Sequence, residues 1–102
     1  MKIAFKMKLK PGFKAEYKKR HDQIWPELSA LLKENGVSDY TIFLDEETNT
    51  LFAVQQQNGS SSQELGSTAI VQKWWAFMAD IMETNPDHSP ITKPLTEVFH
   101  LD

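Results

Sequence analysis

The chain has 102 residues, of which 40% are hydrophobic and 25% charged, with a formal net charge of −3 and no cysteine. This length predicts one domain over residues 1–102, and the composition is that of an ordinary globular protein. The missing cysteine excludes disulfides, Cys-ligated zinc, iron–sulfur clusters and a thiol nucleophile, and it is compatible with the cytoplasmic location that we expect. We find neither a secretory signal nor an apolar run long enough to span a bilayer, so no membrane partner is expected.

The basic residues are concentrated at the N-terminal end. Residues 1–20 hold eight of the 11 basic side chains and one of the 14 acidic ones. A basic segment is found in many nucleic-acid-binding proteins. Here, however, the lysines of residues 2–10 alternate with apolar residues, as in a strand with one buried face. Aromatic stacking motifs of the RNA-binding type are missing, so we expect no nucleic-acid partner.

The first half of the chain predicts a strand followed by helical structure. Residues 2–10 alternate strictly between polar and apolar, which indicates a strand that ends at the Pro11-Gly12 turn. From Phe13 onward, apolar residues recur at three- and four-residue steps and predict one helical face. Pro26 interrupts this face, so it either kinks a single helix or begins a second one. Gly36 marks the end of the helical pattern.

The second half predicts a hairpin, a helix and a last strand. Residues 37–44 and 50–57 flank a polar turn and are rich in residues that favour strands. Residues 63–83 predict a helix, and residues 95–101 predict a final strand. The order β-α-β-β-α-β predicts a ferredoxin-like α+β fold, in which both helices cover one face of a four-stranded antiparallel sheet. The other face would be bare, and a second copy of the chain is its commonest cover, so we expect a homodimer.

The core candidates are the apolar residues on the inner faces of these elements: Ile3, Phe5, Met7, Leu9, Leu28, Leu31 and Phe77.

Two polar aromatic residues predict a site on the first helix. Tyr17 and His21 are four residues apart, so their side chains lie next to each other on one helical face. The pKa of an unperturbed histidine, about 6.5, is close to neutral pH, which suits acid–base chemistry. A surface helix with a stacked tyrosine and histidine would produce the same spacing.

Trp74 and Trp75 form the second candidate feature. Neighbouring helical positions point about 100° apart, so one ring can enter the core while the other faces an opening. Indole faces stack well on the C–H side of sugar rings, although the sequence alone favours the simpler explanation of one core and one half-buried tryptophan. Tyr40 lies on the second predicted strand, where it is either a binding residue or a half-buried strand tyrosine.

Metal and nucleotide motifs are missing from the sequence. Neither the H-x-x-x-H nor the H-E-x-x-H spacing occurs, and the four glycines form no phosphate-binding loop. We therefore expect neither a metal nor any other cofactor.

A longer motif connects these residues to a known family. Residues 17–28 read YKKRHDQIWPEL and resemble the Y-x-x-R-H-x-x-I-W-P-E-L segment of the L-rhamnose mutarotases. The similarity continues in the same order through residues 40–45, 72–75 with Met78 and Asp80, 85–90 and 97–101. Residues 55–67 carry no distinctive match.

The resemblance implies a ferredoxin-like domain that forms a dimer through its sheet, with a pocket between the sheet and the helices. His21 matches the family's proton donor. The positions that bind the sugar in the family correspond to Tyr17, Tyr40, Trp74 and Trp75. The implied activity is that of an isomerase that interconverts the α and β anomers of L-rhamnose by acid–base opening and closure of the ring. Our own hypothesis for the second proton carrier is Asp80 or a bound water molecule. The alternatives are a cofactor-free monooxygenase on the same dimeric scaffold and a non-catalytic module that binds a small molecule.

Overall fold

The computed structural model describes residues 1–58 and 65–102. In this part of the chain the elements follow in the order β1 (Lys2–Lys8), α1 (Lys14–Asp22), α2 (Pro26–Glu34), β2 (Val37–Asp45), β3 (Thr50–Gln57), α3 (Ala69–Met78) and β4 (Lys93–Pro94). The strands form one antiparallel sheet in the order β2-β3-β1-β4. This is the strand order of the split βαβ arrangement, so the predicted ferredoxin-like α+β fold is confirmed.

The alternation at the N-terminus produces a central strand with one buried face. Phe5 and Met7 are buried in the core, and Phe5 lies opposite Ala53 of β3. The same apolar cluster contains the buried side chains of the helices, among them Leu28 of α2 and Val71 of α3. The helices therefore cover this face of the sheet, here called the inner face. Adjacent residues of a strand point in opposite directions, so the intervening lysines of β1 lie on the outer face.

Pro26 separates two helices, the second of the two arrangements that the sequence allows. The residue before a proline is sterically driven out of the helical conformation. Trp25 is accordingly extended, with ψ of 130°, and Pro26 occupies the start of α2, where its missing N–H costs no hydrogen bond. The break places Trp25 at the junction, where its ring contacts Trp74 and Phe77 of α3.

Strand β2 contains a bulge near its start. Its register against β3 shifts between Ser38 and Thr41, and Asp39 has a positive φ of 48°. Val37 is buried, and Tyr40 contacts Phe5 edge to face with 6.5 Å between ring centroids. The bulge therefore allows two residues that are three positions apart to lie on the inner face.

The last helix is shorter than predicted. It covers Ala69–Met78, whereas the sequence predicts a helix over residues 63–83, of which residues 63 and 64 lie outside the described part. After the helix, the chain turns back along the end of β1. The N–H of Lys10 donates to the carbonyl of Ile81, and the N–H of Glu83 donates to the carbonyl of Lys8. Ile81 is fully buried by this pairing, which explains its apolar character without a helix.

The prediction of a final strand over residues 95–101 is wrong. The strand at this edge is Lys93–Pro94, and residues 95–102 have no regular secondary structure. The N–H of Leu95 still donates to the carbonyl of Ala4, after which the chain leaves the sheet. We call residues 95–102 the C-terminal arm. Its apolar residues Val98, Phe99 and Leu101 are between 77% and 92% exposed, so their pattern does not mark burial within this chain.

Candidate active site

A cavity of about 760 Å³ lies between the inner face of the sheet and the helices. Its walls come from α1, α2, α3 and β2, with the loop after α3 at one side. The five residues that the sequence predicts as site residues all line this cavity: Tyr17, His21, Tyr40, Trp74 and Trp75. A space of this size is in the range of small-molecule sites.

His21 is held between two aromatic rings. It stacks on Tyr17 with ring centroids 4.3 Å apart, which confirms the pairing predicted from their spacing on α1. On another side, the Trp74 indole lies nearly perpendicular to the imidazole, with 5.4 Å between ring centroids and an angle of 86° between the planes. The helix therefore supplies one contact of the imidazole, and α3 supplies the other.

The backbone of α1 fixes the tautomer of His21. Its Nδ1 lies 3.1 Å from the carbonyl oxygen of Tyr17. A carbonyl oxygen only accepts hydrogen bonds, so we infer that Nδ1 carries the hydrogen. The lone pair of the neutral ring then lies on Nε2, which can take up a proton and give it back.

Burial lowers the pKa of His21 below its ordinary value. The hydrogen bond to the Tyr17 carbonyl and the charge of Asp22 act in the opposite direction but are smaller effects. The imidazole is therefore mostly neutral at neutral pH, in the form whose Nε2 is a base.

Tyr17 and Tyr40 place phenol groups near each other in the cavity. Tyr17 is buried and Tyr40 is half-buried. Burial raises the pKa of Tyr17 far above its usual range, and the proximity of Tyr40 raises it further. The Tyr17 hydroxyl therefore stays protonated at any physiological pH, so it can both donate and accept a hydrogen bond.

The two adjacent tryptophans differ in burial, and both contribute to the wall of the cavity. Trp74 is buried and packs against Trp25 and Phe77, with centroid distances of 5.1 and 5.6 Å. Trp75 is half-buried, and both indoles line the cavity. They give it an apolar, flat surface beside the imidazole and the phenols.

Asp80, considered above as a second proton carrier, is not a lining residue of the cavity. Its carboxylate accepts two hydrogen bonds from Arg20, at 2.8 and 3.2 Å. These bonds hold the pKa of Asp80 below its usual value. A carboxylate in this state has little tendency to exchange protons with a bound molecule.

Two features of this region were missed by reasoning from the sequence. His88 lies at the cavity wall with a positive φ of 72°, in the segment NPDHSP, whose residues favour turns but give no sign that the imidazole approaches the cavity. Arg20 joins α1 to the end of α3. The position of Arg20 directly before His21 is the feature of the sequence that could have indicated a role near the site. Phe77, predicted as a core residue, is instead 43% exposed and carries the Arg20 guanidinium over its ring.

The described residues contain neither a metal-binding cluster nor a membrane-spanning helix. Residues 1–58 and 65–102 contain no group of three or more His, Asp or Glu side chains arranged to hold a metal ion. Across the same ranges, none of the helices combines the length and apolarity needed to cross a bilayer.

An imidazole, two phenols and two indoles line this cavity on a ferredoxin-like sheet, and groups of these kinds are suited to acid–base chemistry on a small, partly apolar molecule. Comparison with known proteins identifies the particular family. The sequence model of the L-rhamnose mutarotases matches residues 2–101, and the chain belongs to the L-rhamnose mutarotase family, whose enzymes are isomerases that interconvert sugar anomers.

Close relatives support this assignment over almost the whole chain. An L-rhamnose mutarotase from Bacteroides thetaiotaomicron is 67% identical over 100 residues, which cover 97% of this chain and 96% of the relative. One from Formosa agariphila is 62% identical over 102 residues, or 99% and 98% of the two chains. A crystal structure of L-rhamnose mutarotase from Formosa agariphila superposes with a TM-score of 0.94 at 60% identity and covers 100% of this chain and 99% of that one. The monooxygenase and binding-module interpretations gain no support from these similarities.

Proposed function

We propose that this protein interconverts the α and β anomers of L-rhamnose and that His21 moves the proton. The observation that carries the proposal is the imidazole itself, which is held in one tautomer in the aromatic cavity. The family match supplies the sugar and the type of reaction. The residues that act on the sugar are our proposal.

The reaction requires one proton to leave the sugar and one to return. In the opening step, Nε2 of His21 removes the proton of the anomeric hydroxyl while the bond between C1 and the ring oxygen breaks. The proton then passes from His21 to the ring oxygen, which becomes a hydroxyl, and C1 becomes an aldehyde. Rotation about the C1–C2 bond presents the other face of the aldehyde, and the reverse steps close the ring. Atoms and charge balance, and the imidazole ends in its starting form.

The aromatic residues would bind and orient the sugar. The phenols of Tyr17 and Tyr40 can exchange hydrogen bonds with sugar hydroxyls. Trp74 and Trp75 offer an apolar surface to the methyl group of the 6-deoxy sugar. Burial of one such carbon contributes about 0.8 kcal/mol, a modest preference over a sugar that carries a hydroxyl there.

The first test replaces His21 with alanine. We expect the exchange between anomers, measured by saturation-transfer NMR on L-rhamnose, to fall roughly 100- to 10,000-fold, because a positioned acid–base group contributes that much. His100→Ala is the matched control, because His100 lies on the C-terminal arm with Asp102 as its partner. Exchange at the wild-type rate in folded His21→Ala protein would show that His21 is not the proton carrier.

We also propose that two copies of the chain pair through the outer face of the sheet. This face carries a row in which Lys6, Phe52 and Phe43 lie side by side on three strands. Phe43 is 61% exposed on β2, at one edge of the sheet, and the apolar side chains of the C-terminal arm, which follows β4 at the opposite edge, are exposed as well. A second copy would bury both groups of apolar side chains.

The cytoplasmic location stays a prediction from the sequence. Cell fractionation with an antibody against this chain would test it.

A further inference from the structure

The side chain of Arg20 donates hydrogen bonds to three residues and also lies over an aromatic ring. Its Nε donates to Glu16 at 2.7 Å, one turn earlier on α1. One terminal nitrogen donates to the backbone carbonyl of Phe77 at 2.7 Å, and both terminal nitrogens donate to Asp80. The guanidinium also lies 4.6 Å from the centre of the Phe77 ring. Its side chain is only 13% exposed.

These contacts connect two elements that otherwise approach each other at the active site. Glu16 and Arg20 belong to α1, whereas Phe77 is in the last turn of α3 and Asp80 follows it. A planar guanidinium with several fixed partners holds both position and orientation, which a flexible ammonium does not. We call Arg20, Asp80 and Phe77 the α1–α3 clamp.

The clamp is continuous with the wall of the cavity. The ring of Phe77 contacts Trp74 at 5.6 Å, and Trp74 contacts His21 at 5.4 Å. Arg20 is also the backbone neighbour of His21. A shift of α1 relative to α3 would therefore change the distance between the imidazole and the indole.

We propose that Arg20 is a positioning residue, which holds His21 against Trp74 by fixing α1 to the end of α3 through Asp80 and the Phe77 carbonyl. The proposal rests on the proposed function, because it assumes that His21 acts on the sugar. It explains why Asp80 stands outside the cavity: its role is to hold Arg20. Arg20 and Asp80 would then act as one unit.

The experiment measures Arg20→Ala, Asp80→Ala and the double variant that carries both alanines. The single variants Arg20→Lys and Asp80→Asn are measured for comparison. For each protein, kcat and KM of anomer exchange and the melting temperature are measured, and the ring-proton NMR resonances of His21 are recorded. Those resonances are shifted by the currents of the neighbouring rings, so they report the position of the imidazole directly. Glu46→Gln is the matched control, because it removes another ion pair of α1, the exposed contact between Glu46 and Lys14.

We expect each alanine variant to lose roughly 10- to 100-fold in kcat, with a smaller change in KM, since small misplacement of reacting groups has effects of this size. The double variant should lose no more than the stronger single one, because the two residues share one contact. The His21 resonances should move toward the values of an unstructured peptide. Arg20→Lys and Asp80→Asn should recover part of the loss, and Glu46→Gln should behave as wild type.

Two results would overturn the proposal. One is wild-type kcat and unchanged His21 resonances in the clamp variants, even if their melting temperatures fall, because Arg20 would then only stabilise the fold. The other is additive losses in the double variant. If wild-type protein fails to accelerate exchange, the proposed function fails instead. The His21 resonances then decide separately whether the clamp holds the ring.

Discussion

At the residue scale, His21 shows how a helix can set the chemistry of its own side chain. The carbonyl that fixes its Nδ1 hydrogen belongs to Tyr17, one helical turn earlier, and the Tyr17 ring covers the imidazole face. One residue thus supplies both the tautomer and the stacking. The sequence predicts this pairing because both residues lie on one helix. It does not predict the contact with Trp74, which depends on how α3 packs.

The lowered pKa of His21 predicts the pH dependence of the reaction. In the proposed mechanism, the free enzyme must hold a neutral imidazole so that Nε2 can accept the first proton. Activity should therefore be full above the pKa and be lost as pH falls through it. We expect kcat/KM to decrease on the acid side with a midpoint below about 6.5, the value of an unperturbed histidine.

Initial rates of anomer exchange from about pH 4 to about pH 8, a range that brackets the ordinary histidine pKa, measure this profile after correction for the rate without enzyme. A kcat/KM that instead rises as pH falls would mean that the imidazolium is the form that starts the reaction.

At the scale of elements, local patterns in the sequence predict most strands and helix boundaries, but they do not predict contacts between residues far apart in the chain. Strand β1, the hairpin and the proline that begins α2 follow from alternation, turn residues and the geometry before proline. The predicted last strand over residues 95–101 fails because apolar residues in a sequence do not by themselves show burial within the chain, and Val98, Phe99 and Leu101 are exposed here. The contact between Arg20 and Asp80 joins residues that are 60 positions apart, and spacing alone cannot predict it.

Gly36 allows α2 to turn into β2 beside the end of β3. Its φ is 81°, and a Cβ at this position would lie 3.0 Å from the carbonyl carbon of Asn58, whose N–H donates to Gly36. Gly12 has a similar φ of 87°, but a Cβ there would meet no atom of the described residues within 4 Å. An alanine at position 12 would therefore meet backbone strain alone, whereas an alanine at position 36 would meet both backbone strain and a steric clash.

We expect Gly12→Ala to lower the free energy of unfolding by about 1 kcal/mol, the cost of a left-handed conformation for a residue with a side chain. Gly36→Ala should lower it by roughly 1–3 kcal/mol more, because the Asn58 backbone must move. Urea unfolding followed by tryptophan fluorescence measures both. Equal losses in the two variants would show that the approach to Asn58 is not tight.

At the scale of the whole molecule, the two faces of the sheet have different roles. The inner face forms the core and the cavity, while the outer face and the C-terminal arm expose large apolar side chains. If two copies cover these surfaces, the measured stability will depend on protein concentration. The residues that line the cavity described here belong to one chain, so pairing through the outer face would support the sheet wall of the cavity from behind.

Phe43→Glu and Phe99→Glu test the pairing. Each places a charge in a surface that we expect to be buried between copies, so the mass in solution, measured by sedimentation equilibrium, should fall from twice the chain mass of 11.7 kDa to that of one chain. Lys73→Glu is the control, because it changes an exposed side chain on α3. A wild-type mass of one chain, or dimers that persist in both variants, would contradict this arrangement.

The bulge of β2 makes the wall of the cavity depend on the number of residues in the strand as well as on their identity. In a regular strand, Val37 and Tyr40 would point to opposite faces, since an odd number of steps separates them. The extra position, with Asp39 at a φ of 48°, brings both to the inner face. Substitution of Asp39 preserves the number of residues in β2. Its deletion would reverse the face of the sheet to which the side chains before or after this position point. Either Val37 would leave the core or the Tyr40 phenol would leave the cavity, so the number of residues at this point is itself a determinant of the candidate site.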